Sequence, residues 1–120
     1  MESDRELLEL AANAAGYLFG ALNAPVNDGK NQFYIWESKD SKFSEFWNPL
    51  TDDGDALRLA VNLNLRVLYH PALKQATVRP YFAAEREQES VENVEAHRDP
   101  CAATRCAIVR AAAEIGKAMK

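Results

Sequence analysis

The sequence predicts an α+β fold, with three helices and one sheet of about four antiparallel or mixed strands, arranged as a three-layer α/β/α sandwich. Three observations point there. Apolar positions recur at helical spacing near both ends and in the middle. Between those stretches lie short segments rich in aromatic and β-branched residues, bounded by Pro, Gly, Asn and Asp. The 120-residue chain is 48% apolar and 27% charged. That suits a single domain over residues 1–120 which needs no metal or disulfide to close its core.

Ser3-Asp4-Arg5-Glu6 reads as a capping box, because the Ser3 hydroxyl can accept from the Glu6 N–H while the Glu6 carboxylate reaches back. Leu7, Leu10, Ala11, Ala14, Ala15 and Leu18 then form one stripe, so the first helix is expected over about 4–19. Gly16 and Gly20 weaken its far end, and Asn23-Ala24-Pro25 closes it. Asn27-Asp28-Gly29-Lys30 is a turn. Gln32–Ser38 and Phe43–Trp47 read as a hairpin, with Phe33, Ile35 and Glu37 on one face of the first strand and Tyr34 and Trp36 on the other. Pro49 ends it, having no N–H for the ladder.

Asp52 or Asp53 caps a second helix, and Asp55 sits in the first turn where the helix dipole favours an anion. Ala56, Leu57, Ala60 and Val61 are its expected buried stripe, fading over Asn62–Asn64. Arg66–Tyr69 and Ala76–Phe82 follow as two strands joined through His70-Pro71-Ala72-Leu73, with Pro80 pushing the second toward a sheet edge or bulge. Residues 83–98 carry Glu85, Glu87, Glu89, Glu92 and Glu95 with little apolar content, and read as a mobile acidic loop. Asp99-Pro100 opens the last helix as N-cap and first-turn proline. Ala103, Ile108, Val109, Ala112, Ile115 and Met119 supply its apolar face.

Net charge is −4, and no stretch is basic, which argues against direct nucleic-acid binding through phosphate contacts. Two cysteines fit a reducing compartment, the acidic N-terminus is unlike a signal peptide, and no apolar run approaches the roughly 20 residues of a membrane span. The expected location is cytoplasmic, with no membrane partner.

The chemical candidates are few. Asp52, Asp53 and Asp55 match no calcium loop and are better read as helix-start residues. His97, Cys101 and Cys106 suggest zinc, but five residues turn the two thiols about 140° apart on a helix, and the only other histidine is His70. No metal site or cofactor is therefore expected, and each cysteine is read as a small apolar residue. As an enzyme the chain has one foothold, a Cys101 thiol with His97 as base. Aromatics interleaved with Lys30, Lys39 and Lys42 resemble a base-stacking surface, a reading that the acidic balance opposes.

Two segments, Trp47–Val61 (WNPLTDDGDALRLAV) and Ala102–Gly116 (AATRCAIVRAAAEIG), resemble small proteins of tailed bacteriophages, the family called the phage ABA sandwich domain. The position of Cys106 departs from it, since relatives tend to carry a basic residue there. The resemblance implies helices on both sides of a sheet and an infected bacterial cytoplasm as the setting, and it supplies no catalytic residues.

The expected function is accordingly that of a non-enzymatic phage accessory protein which binds a host protein, to counter a defence system or redirect a host enzyme. The expected contact residues are Glu85, Glu87, Glu89, Glu92 and Glu95, with Trp36 and Trp47 if exposed. The alternative is a small-molecule binder, such as a sponge for a nucleotide signal, with Arg58, Arg79 or Arg105 as anion contacts in a loop or inter-subunit pocket; a homodimer is compatible with either.

Overall fold

The computed structural model of the chain describes residues 4–21, 33–36, 45–80, 90–93, 97 and 99–118, with the backbone alone at 20, 21, 33, 34, 36, 45 and 46. Helix α1 spans Asp4–Ala15 and buries Leu7, Leu8, Leu10, Ala11 and Ala12. It ends three to four residues earlier than the apolar stripe suggests. Gly16 adopts φ +84°. Its N–H reaches the Asn13 carbonyl while the Tyr17 N–H reaches that of Ala12, the paired closure of a Schellman cap. Leu18 thus leaves the helix and opens a strand. The capping serine, Ser3, lies outside the described residues.

Strands β1 (Leu18–Ala21), β2 (Phe33–Trp36) and β3 (Glu45–Phe46) form one antiparallel sheet in the order β1-β2-β3, with Leu18 opposite Trp36 and Tyr34 opposite Phe46. Ile35 points into the core, 4% exposed, as alternation along β2 requires. Helix α2 (Asp53–Asn62) follows, then β4 (Leu65–His70), β5 (Gln75–Pro80) and β6 (Ser90–Asn93), an antiparallel meander that makes a second sheet. Helix α3 (Pro100–Ala118) closes the chain.

Three helices and antiparallel strands agree with expectation; the strands, however, are divided between two three-stranded sheets instead of one sheet of four. The residues added are β1, hidden in the continuation of the first helix pattern, and β6, where Ser90–Asn93 pairs with β5 inside the segment expected to be a mobile loop. The layering also differs. α3 packs against α1 on one side and against β5, β6 and β4 on the other, with α2 alongside. In the second sheet Val67, Tyr69, Ala76, Val78 and Glu92 share one face by register. That face meets α3. Ala76 and Val78 are fully buried. Among the described residues no helix covers the other face, where Leu68 and Val91 are exposed and His70 Nε2 lies 3.2 Å from the Thr77 hydroxyl.

The core runs through both sheets. Leu8, Leu59, Val78 and Val109 are its largest fully buried aliphatic side chains, and an alanine series on α3 (Ala103, Ala107, Ala111, Ala112, Ala113) lets that helix lie between α1 and the second sheet. At Gly116 the approach is closest: a Cβ there would fall 2.8 Å from the Leu10 carbonyl carbon and nearer still to its oxygen.

Candidate functional site

Residues 48–52 form a loop ahead of α2, tied within itself and to the first turn of that helix. Asn48 Oδ1 accepts from the Leu50 N–H at 3.0 Å, the Asn48 carbonyl accepts from the Thr51 and Asp52 N–H groups, and the Asn48 N–H donates to Asp55 Oδ2 at 3.0 Å. Of the two N-cap candidates Asp52 is the cap, accepting from the Asp55 N–H at 2.8 Å; Asp55 lies in the first turn as expected, and Asp53 joins it there. Arg105, on α3, reaches across to this loop. Its Nε donates to the Leu50 carbonyl at 2.9 Å and one terminal nitrogen to Asp53 Oδ1. The two segments that carry the sequence resemblance are therefore joined by one guanidinium.

Beneath that clamp lies a groove of about 410 Å³ between α2, β4 and the first turns of α3, lined chiefly by Leu57, Ala60, Val67, Tyr69, Cys101 and Ile108. Its apolar walls have a specific origin. Of the stripe expected to be buried on α2, Ala56 and Ala60 are, together with Leu59, whereas Leu57 and Val61 are 64% and 69% exposed. Leu57 and Val61 are one helical turn apart, so α2 carries a second apolar edge that the core does not use. Tyr69 and Val67 are also substantially exposed, and among the described residues β4 pairs only with β5.

A second cluster lies on the other flank of α3. The five-residue step does separate the thiols: Cys101 lines the groove, while Cys106 faces β6. Cys106 and Arg110, at i and i+4, both turn toward Glu92. Cys106 Sγ donates to Glu92 Oε1 at 3.1 Å, His97 Nε2 lies 2.9 Å from the same oxygen, and Arg110 Nε is 3.6 Å away. An ionised carboxylate only accepts, so the His97 tautomer in this arrangement carries its proton on Nε2. Burial, with the hydrogen bond to Glu92 and its charge, pushes the Cys106 thiol up from 9.0 to about 11. The folded chain keeps this proton while an unfolded one releases it above pH about 9, so the stability it contributes is intact at neutral pH and declines as pH rises toward about 11.

The expected contact residues fare unevenly. Trp47 is buried, 5% exposed, its ring meeting Tyr17 and Phe19 edge-on at 6.3 Å; it is a core residue, not a contact surface. Glu92 is half-buried and engaged with His97, Cys106 and Arg110, not a free surface charge. Glu85, Glu87, Glu89, Glu95 and the Trp36 side chain lie outside the described residues. The arginines do not gather into one anion site. Arg58 pairs with Asp55 at 2.8 Å, Arg105 is the clamp above, and Arg79 alternates with Val78 onto the opposite face of the second sheet, across from Arg66. His97 Nε2 turns to Glu92, while Cys101 lines the groove on the other flank of α3.

No family model, curated protein or solved structure matches the chain. Its own geometry has to carry the functional reading.

The thiols differ enough to be told apart in solution. At pH 8 a disulfide reagent is expected to modify Cys101, which is exposed, in the native protein, and Cys106 only on unfolding, because burial and the retained proton both suppress attack. Absorbance after mixing should show one thiol per chain without denaturant and two with it; two equally fast thiols would contradict the placement of Cys106.

Proposed function

We propose that this chain is a non-enzymatic accessory protein of a tailed bacteriophage that binds a host protein in the infected cytoplasm, to counter a defence system or redirect a host enzyme. The observation that supports it is the apolar groove of α2, β4 and α3, continued on α2 by Leu57 and Val61. Contiguous apolar surface of this kind on a small domain is characteristic of a binding site. The partner feature that suits it is an extended apolar segment. Laid along β4, such a segment would pair with the strand backbone and send alternate side chains past Val67 and Tyr69 into the groove. Tyr69 is the natural anchor, with an apolar ring and a polar tip. The resemblance to phage proteins gives the setting. The nucleotide-sponge reading has less support, since its three arginines are dispersed.

Capture from a lysate of a susceptible bacterium tests this with three baits: the wild type, a Leu57→Asp/Val67→Asp variant, and a variant with Glu85, Glu87, Glu89 and Glu95 changed to Lys. The expected result is a partner held by the wild type and the loop variant, with affinity for the purified partner at least tenfold weaker in the groove variant, or about 1.4 kcal/mol. Equal binding by wild type and groove variant overturns the groove; loss confined to the loop variant returns the role to the acidic segment. Sedimentation of the chain alone completes the test. A dimer dispersed by the groove substitutions would assign this surface to self-association.

A further inference from the structure

We propose that Glu92, His97 and Cys106 form a Zn²⁺ site with one open coordination position. One oxygen, one nitrogen and one sulfur ligand atom from these side chains all lie within 4.8 Å of one another. They come from three places in the chain, the β6 strand, the segment before α3 and the middle of α3. Their meeting is a product of the fold and is not visible as a local sequence motif.

Ligand chemistry selects the ion. Mg²⁺ and Ca²⁺ want oxygen cages, whereas a thiolate and an imidazole with one carboxylate suit Zn²⁺. With Zn–N and Zn–O bonds near 2.1 Å and Zn–S near 2.3 Å, tetrahedral ligand atoms sit about 3.4 to 3.6 Å apart. The observed separations from Glu92 Oε1 are 2.9 Å to His97 and 3.1 Å to Cys106, so His97 Nε2 and Cys106 Sγ each need to draw about half an ångström away from that oxygen to admit the ion. The side chains of His97 and Glu92 are 20% and 13% exposed, enough for entry and for a water at the fourth vertex.

The hydrogen bonds that hold the cluster without an ion are the ones the ion replaces. The Cys106 thiol gives up its proton to solvent and its sulfur bonds the metal. His97 moves its proton from Nε2 to Nδ1, freeing the Nε2 lone pair, and Glu92 Oε1 is released from both donors. One proton leaves per ion bound. Arg110 is the opposing cation. Its side chain is 50% exposed, so it can swing to solvent as the metal takes over Glu92.

The test uses the folded full chain, stripped with a chelator and titrated with Zn²⁺ against a chromophoric competitor and, separately, with Co²⁺ followed by absorption. The expected result is one ion per chain and a near-ultraviolet thiolate-to-cobalt band with the visible bands of a tetrahedral ion. Cys106→Ser should abolish the charge-transfer band. Glu92→Gln and His97→Ala should each weaken Zn²⁺ binding at least tenfold, Cys101→Ser should leave it unchanged, and Arg110→Ala should leave it equal or tighter. A wild-type chain with no thiolate band in excess Co²⁺ overturns the site, and needs no variant that has to fold. So does a band that survives Cys106→Ser, or one lost in Cys101→Ser. The groove variant should bind Zn²⁺ as the wild type does, which separates this result from the docking surface.

Discussion

Replacing Gly116 with Ala should lower stability by about 3 kcal/mol, because the added methyl meets backbone and not a movable side chain. The nearest atoms to a Cβ at this position are the carbonyl oxygen, carbonyl carbon and Cα of Leu10, all on α1. Neither helix can relieve the overlap by changing a rotamer. One must retreat, and α1 cannot do so without unseating Leu8 and Ala11, which are fully buried. For a domain of this size the loss corresponds to a fall in melting temperature of roughly 10–15 °C. Gly54→Ala is the matched comparison. There a Cβ would meet the ends of the Asp52 and Arg58 side chains at 3.2 and 3.3 Å; Arg58 can swing aside and the Asp52 carboxylate has to yield only a few tenths of an ångström while it keeps its capping bond to Asp55, so that variant should melt within a few degrees of wild type. Thermal unfolding of the pair decides; equal melting temperatures would mean that α1 and α3 are not so closely apposed.

Trp47→Ala should cost about 3–5 kcal/mol, the usual range for removing a buried aromatic. The indole is where the first sheet, the tied loop and the core come together. It packs edge-on against Tyr17 and Phe19, at interplanar angles of 74° and 76°, and it precedes the loop whose hydrogen bonds set the start of α2. Its loss removes both the apolar area and the two ring contacts. Trp47→Phe keeps a ring and should lose roughly half as much, within the ordinary span for partial truncation. Urea titration with an unchanged slope would locate the effect in the folded state. A variant as stable as wild type would instead place Trp47 at the surface, the condition on which the sequence made it a contact residue.

What was legible in the sequence was local chemistry. Asp52 and Asp99 cap their helices through their own side chains, at 2.8 Å to the N–H groups of Asp55 and Ala102. Alternation placed Ile35 inward, and the angular separation of the two thiols was sound. What escaped was set by competition between neighbours. Leu18 continues the helical stripe of α1 in sequence, but the positive φ of Gly16 stops the helix first. Ser90–Asn93 looked solvated because its surroundings are acidic, yet pairing with β5 brings Glu92 to the face that meets α3. On α2 the apolar stripe was wider than the core has room for. Periodicity does not show which edge of such a stripe remains outside, and Leu57 and Val61 are that edge. Of the Glu92–His97–Cys106 cluster, His97 and Cys106 stood out in the sequence as zinc candidates together with Cys101, but Glu92 read as a solvated loop charge and is brought to them only by the pairing of β6 with β5.

The slenderness of α3 has an evolutionary corollary. Flanked by a sheet on one side and by α1 on the other, its buried alanines and Gly116 can drift only among the smallest residues unless two other elements change in step. Diversification among descendants of this chain should therefore collect at α2 and at the outer rim of α3, where new side chains meet solvent or a partner.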